Sequence, residues 1–175
     1  MPQNVLSFEA LLRSAEHSAV HLEMRDSYGV DEEADEFSEF KQGHRLDPDD
    51  RTSWWRPWLD LIQEITARGV VVRRARIVSE PVTDYIRYEH HHTFTNVVAG
   101  ERVRWLPRRR TADLALPGTD FWLIDEKLVR FNHFSGDGAV TEPEQTDDPQ
   151  VAKLCASAFE AVWERGIPHE EYEIH

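Results

Sequence analysis

At 175 residues, with six Trp, eight Phe and four Tyr, the chain has enough apolar and aromatic side chains for one core of ordinary size. A formal net charge of −13 argues against direct nucleic-acid binding, because a phosphate backbone rewards surplus Lys and Arg. No run of about 18 apolar residues reads as a membrane span, the N-terminus lacks a signal-peptide pattern, and the lone Cys155 cannot form an intrachain disulfide, so a cytoplasmic setting is expected.

In chain order, Ser7 with Phe8, Leu11 and Leu12 predicts a short capped helix. His17 to Met24 predicts a strand with Val20, Leu22 and Met24 on one face. The stretch from Tyr28 to Arg51 is polar and acidic, and residues 29–52 read as an exposed insertion with a brief amphipathic helix around Phe37 and Phe40. Ser53 opens the strongest predicted helix, with Trp58, Leu61, Ile62 and Ile65 as its buried stripe and Gly69 as its end. Val70 to Ser79 predicts a β-branched strand, Val82 to Asn96 a helix, and Glu101 to Leu106 a further strand stopped by Pro107. From Asp120 to Phe134 two apolar runs flank Asp125-Glu126-Lys127, which predicts a hairpin forming the central strand pair. Gln150 to Arg165 predicts the last helix, with Cys155 on its buried side; Pro168 stops it, and residues 169–175 read as a loose tail.

This order predicts an α/β fold with a single mixed β-sheet flanked by helices, residues 1–168 forming one domain. Strands separated by helices should be parallel, with the hairpin antiparallel.

Charge is unevenly spread. Between Glu23 and Asp50 eleven residues are acidic and three basic, whereas ten of the twenty basic residues lie between Arg68 and Arg110. Such polarity suits a basic partner on one side and a small anion on the other, or simply two solvated faces. Arg108, Arg109 and Arg110, with Arg104 upstream, are candidates for ligand or partner binding, since guanidinium groups bind phosphate or carboxylate bidentately. Asn132 is a further binding candidate, beside the strand histidine His133. A core hydrogen-bonding role for His133 is weighed against an acid–base role with Asp120 and Asp125. His90-His91-His92 reads as a solvated or helix-end run, because consecutive helical side chains diverge by about 100°. No metal and no cofactor is expected, and no nucleophile motif is present.

The segments Arg25-Asp26-Ser27-Tyr28, Trp55-Arg56-Pro57-Trp58, Val78-Ser79-Glu80-Pro81, Arg104-Trp105-Leu106-Pro107-Arg108 and Phe131-Asn132-His133-Phe134 resemble an actinobacterial domain-of-unknown-function family. Its members are often encoded beside helix-turn-helix regulators. A more distant likeness is to the phospholipase D fold and its His-x-Lys-x-x-x-x-Asp strand. Setting that Asp on Asp125 places the Lys on Asp120 and the His on Gly118, so the nucleophile and its cation are both missing. The resemblance therefore implies a phospholipase D-like architecture with a lost catalytic motif. The usual neighbourhood of the domain-of-unknown-function family, the polarised charge and the missing motif together lead to the expectation of a non-enzymatic regulatory or sensor module, partner of a helix-turn-helix regulator. The alternatives are an acid–base enzyme acting on a small phosphorylated or nucleotide-like molecule, and a toxin-like effector neutralised by a neighbouring regulator.

Overall fold

The computed structural model describes residues 5–175. Its centre is the first strand, not the predicted hairpin. β1 (Ser18–Glu23) pairs in parallel with β2 (Val71–Val78), and β2 pairs in parallel with β3 (Arg102–Pro107). The hairpin strands, β4 (Phe121–Ile124) and β5 (Leu128–Phe131), add antiparallel to the other side of β1. With β6 (Glu144–Thr146) and β7 (Ile167–Pro168) at the edges, the seven-stranded order is β6-β5-β4-β1-β2-β3-β7. The predicted mixed sheet with flanking helices is thus observed, with parallel pairing across each helical crossover.

Two crossovers that progress in the same direction place their helices on the same face. These are α4 (Pro57–Ala67), between β1 and β2, and α5 (Asp84–Ala99), between β2 and β3. The short α1 (Phe8–Arg13) joins α4 there, and Leu11, Leu12, Leu59, Ile62 and Ile65 pack on Ala19, Val72, Trp122 and Ile124. The opposite face carries α6 (Pro149–Arg165), whose Ala152, Cys155, Phe159 and Val162 cover Val20, Leu22, Ala75, Ile77, Phe121 and Leu123. Strand alternation sorts the two sets, as the period of two requires. No helix among the described residues is long and apolar enough to cross a membrane.

The strongest helix starts at Pro57 and not at Ser53. A proline disfavours helical geometry in the residue before it, and Arg56 is extended at φ −133° and ψ 163°. Ser53 falls instead in the one-turn α3 (Arg51–Trp54). At the hairpin turn Asp125 and Glu126 both take positive φ, 50° and 58°, where glycine is usual. Asp125 offsets that strain with its carboxylate, which accepts from the backbone N–H groups of Glu16, His17 and Ser18 at 2.7–2.9 Å. Burial pushes its pKa up, but these three bonds outweigh that and hold it below the ordinary value.

The insertion and the tail are more ordered than expected. A 3₁₀ turn (Asp31–Glu33) and α2 (Ala34–Lys41) lay Phe37 and Phe40 against Tyr85 and Tyr88 of α5. The tail docks on β3: Tyr172 stacks on Trp105 with centroids 5.5 Å apart, and the Trp105 indole N–H donates to Nδ1 of His169. The reason is chemical, because Trp105 would otherwise present an apolar face and an unpaired donor. The histidine run lies within α5, partly buried: His90 contacts the Tyr172 carbonyl, and His91 accepts from the Leu46 N–H.

Candidate functional site

Because β1, β2 and β3 are parallel and β4 runs against β1, the C-terminal ends of three strands meet the start of the fourth at one edge. Ligand sites of open α/β sheets favour this location. The residues gathered here come from segments far apart in sequence. Asp26, in the loop after β1, accepts from the Ser79 backbone N–H and hydroxyl, both at 2.7 Å. Arg108, just past β3, donates from Nε to the Ser79 hydroxyl at 2.9 Å and from Nη2 to the Met24 carbonyl. Thr83 caps α5 and donates to the Asp26 carbonyl, fastening the helix to the same loop. At the start of β4, the buried Asp120 accepts from the Tyr28 hydroxyl and from the Met24 backbone N–H.

Beneath this edge lies a buried ionic network on the α5 side of the sheet. Arg74 of β2 donates to Glu23 of β1 at 2.6 Å and to Glu101 at 2.5 Å. Arg76 reaches Glu23 at 2.7 Å and also Glu89 of α5. Burial pushes Glu23 up, yet the charges of Arg76 and Arg74 outweigh it and hold Glu23 at about 2. Asp120 and Glu33 go the other way. Burial, against the Tyr28 hydrogen bond and with the repulsion of Glu23, raises Asp120 to about 6. Burial and the charge of Glu89, against the Tyr85 hydrogen bond, raise Glu33 to about 7. Arg76 Nε, and Nδ1 of His21 beside Glu23, have no hydrogen-bond partner among the described residues.

Sequence similarity decides the family. Residues 6–174 match the family described as Domain of unknown function (DUF6879). The chain belongs to the DUF6879 family.

A search of curated proteins finds no match to this DUF6879 chain. Among solved structures it is similar to Nuc, a phospholipase D family member from Salmonella typhimurium. That likeness has a TM-score of 0.48 and 12% identity, over 91% of this chain and 86% of that one. It is also similar to TrmBL2, an archaeal chromatin protein whose structure is described as showing a novel mode of DNA binding. There the TM-score is 0.47 and the identity 14%, over 90% of this chain and 47% of that chain, so the DUF6879 chain spans about half its length.

The DUF6879 structure scatters the candidates read from sequence. Asp120 and Asp125 sit at opposite ends of β4, and His133 lies beyond β5 with its ring 3.0 Å from the exposed Glu144. Asn132 pairs through its backbone, its N–H donating to the Asp120 carbonyl and its own carbonyl accepting from the Thr119 hydroxyl. The arginines divide as well. Arg104 donates to the Trp163 carbonyl and covers that indole ring, and Arg108 ties three strand ends together. Arg109 and Arg110 project from an exposed 3₁₀ turn (Arg108–Thr111).

Sequence reasoning missed the network of Glu23, Arg74, Arg76, Glu89 and Glu101. The signal was Arg73-Arg74-Ala75-Arg76 within a strand whose neighbours bury both faces, since alternation must then turn arginine inward. Arg108→Ala is expected to cost about 1–3 kcal/mol, because it strips a charged donor from the Met24 carbonyl and the Ser79 hydroxyl. Thermal unfolding beside wild type measures it, and an unchanged midpoint would remove this tie from the account.

Proposed function

We propose that this chain is a non-enzymatic regulatory or sensor module of the cytoplasm that docks on a helix-turn-helix transcriptional regulator. One observation carries the reading: the acid–base candidates are dispersed, and each is already engaged. Asp125 is consumed by three backbone N–H groups, Asp120 by Tyr28 and Met24, and His133 by Glu144. General acid–base catalysis needs such groups within hydrogen-bond reach of one reacting centre.

The partner surface assigned to this role is the 3₁₀ turn after β3. Arg109 and Arg110 are exposed there, and their guanidinium groups make no hydrogen bond or ion pair with other described residues. Exposed charges of this kind steer association and select partners more than they stabilise a fold. Co-expression of the chain with a candidate helix-turn-helix regulator from its own genome should yield a co-purifying complex. The double charge reversal R109E/R110E should abolish that complex and leave the thermal midpoint unchanged. Absence of a complex, or its survival in the double variant, would overturn the assignment.

A further inference from the structure

The insertion and α5 enclose a cavity of about 100 Å³ that the strand-end site does not use. Its aromatic walls are Phe40 and Trp54, and its polar lining includes Glu36, Glu39, Arg56 and His92. Several of these are fixed in place. The Trp54 indole N–H donates to the Asp47 carbonyl at 3.0 Å, and its ring meets Phe94 edge-on. Glu36 accepts from the Tyr88 hydroxyl at 3.1 Å and pairs with Arg56 at 3.0 Å. Nδ1 of His92 lies 2.9 Å from the Tyr88 carbonyl, so Nδ1 carries the proton and Nε2 is left as an acceptor. Burial keeps that imidazole neutral by lowering its pKa. The Glu39 carboxylate has no partner among the described residues.

The lining therefore offers two free acceptors, Glu39 and His92 Nε2, between two aromatic rings, while the Arg56 charge is already answered by Glu36. The surrounding stretch from Asp31 to Asp50 carries nine acidic residues and two basic ones, which concentrates cations at the mouth. An anion would meet two carboxylates. A cation that donates hydrogen bonds would meet acceptors beside the Trp54 indole, the Phe40 ring being already covered by the Arg45 guanidinium at 3.8 Å. A metal ion is not the fit, since no group of three or more His, Cys, Asp or Glu among the described residues is arranged to hold one.

We infer that this cavity binds a small organic cation, an alkylammonium or guanidinium compound, clasped between α2 and α5. Occupancy joins Glu39 of the insertion to His92 of the body, so the ligand sets how firmly the insertion is held. Its biological meaning rests on the sensor reading above, but its chemistry does not.

The test is calorimetric titration of the full chain with agmatine and with putrescine, and with glutarate as the anionic control. Saturable binding of an amine is expected, with no binding of glutarate. E39Q, an exposed substitution, should weaken it by about tenfold through loss of a charge-assisted hydrogen bond. W54F should weaken it too by shrinking the aromatic wall. Failure of both amines to bind, equal binding of glutarate, or wild-type affinity in E39Q would overturn the inference. Co-purification with the regulator, measured separately on E39Q, keeps the two readings apart. Amine binding without a regulator complex removes only the sensor reading, and a complex without amine binding removes only the cation site.

Discussion

Replacing Arg74 by methionine is expected to lower the free energy of unfolding by about 3–5 kcal/mol, the cost of breaking a buried ion pair from one side. Arg74 is 8% exposed, and the side chain of its partner Glu101 is fully buried. The methionine fills much of the space but leaves the Glu101 and Glu23 carboxylates facing one another with one fewer cation. Glu101 retains the Asn96 amide as a donor, at 2.9 Å, which moderates the loss without replacing a charge. Urea denaturation near neutral pH measures the difference. Adding Glu101→Gln to Arg74→Met should recover part of it, because the second change removes the uncompensated charge. A loss below about 1 kcal/mol in the single variant would mean that water or a local rearrangement already screens the network.

The second large effect lies on the acid side and centres on His21. This ring is stacked on Trp122, with centroids 4.2 Å apart, and its Nδ1 lies 3.4 Å from Glu23 without forming an aligned hydrogen bond. Burial lowers its pKa to about 3; the Glu23 charge opposes the shift, and those of Arg74 and Arg76 add to it. The folded value is thus below the ordinary 6.5. The unfolded chain takes up the proton first as pH falls, so stability is present above about pH 6.5 and is lost below it. By pH 4 the loss should be on the order of 3 kcal/mol. His91 and His169, both held at about 4 chiefly by burial, act with the same sign.

Glu33 and Asp120 act with the opposite sign. Their folded values, about 7 and about 6, exceed the ordinary 4.5 and 3.8. Their contribution is full below about pH 4 and disappears as pH rises through 6 and 7. Stability should therefore peak in mildly acidic to neutral solution. His21→Phe keeps an aromatic ring beside Trp122 and removes the titration, so its urea midpoint should change less than wild type between pH 6.5 and pH 4. A wild-type slope in that variant would assign the acid lability to other groups.

Local pattern carried much of the fold. The β-branched run at Val70 to Ile77, the stripe of Leu61, Ile62 and Ile65, and the alternation through Phe121 to Ile124 each predicted their element. Burial then confirmed the faces. Errors came where a neighbour outweighed the pattern. Pro57 forced Arg56 out of helical geometry, so the helix start read at Ser53 moved to Pro57, where no side chain caps it. Tyr172 and His169 looked like a polar tail because their partner, Trp105, is more than sixty positions away.

Of the candidate site, single residues were legible but their company was not. Asp120 and Arg108 were singled out for charge, yet what each touches was settled by strand order. Glu23 and Arg76 are brought opposite each other by the parallel β1–β2 register, and Asp120 joins that edge because β4 runs against β1. The sequence by itself determined the fold class, the acidic character, the amphipathic faces and the family, since these follow from residue type and short-range spacing. Only the tertiary structure decided which charges are buried together, which arginines are ties and which are exposed, and where the insertion and tail rest. Those outcomes depend on long-range pairing, where desolvation and Coulomb attraction act between residues that no local period connects.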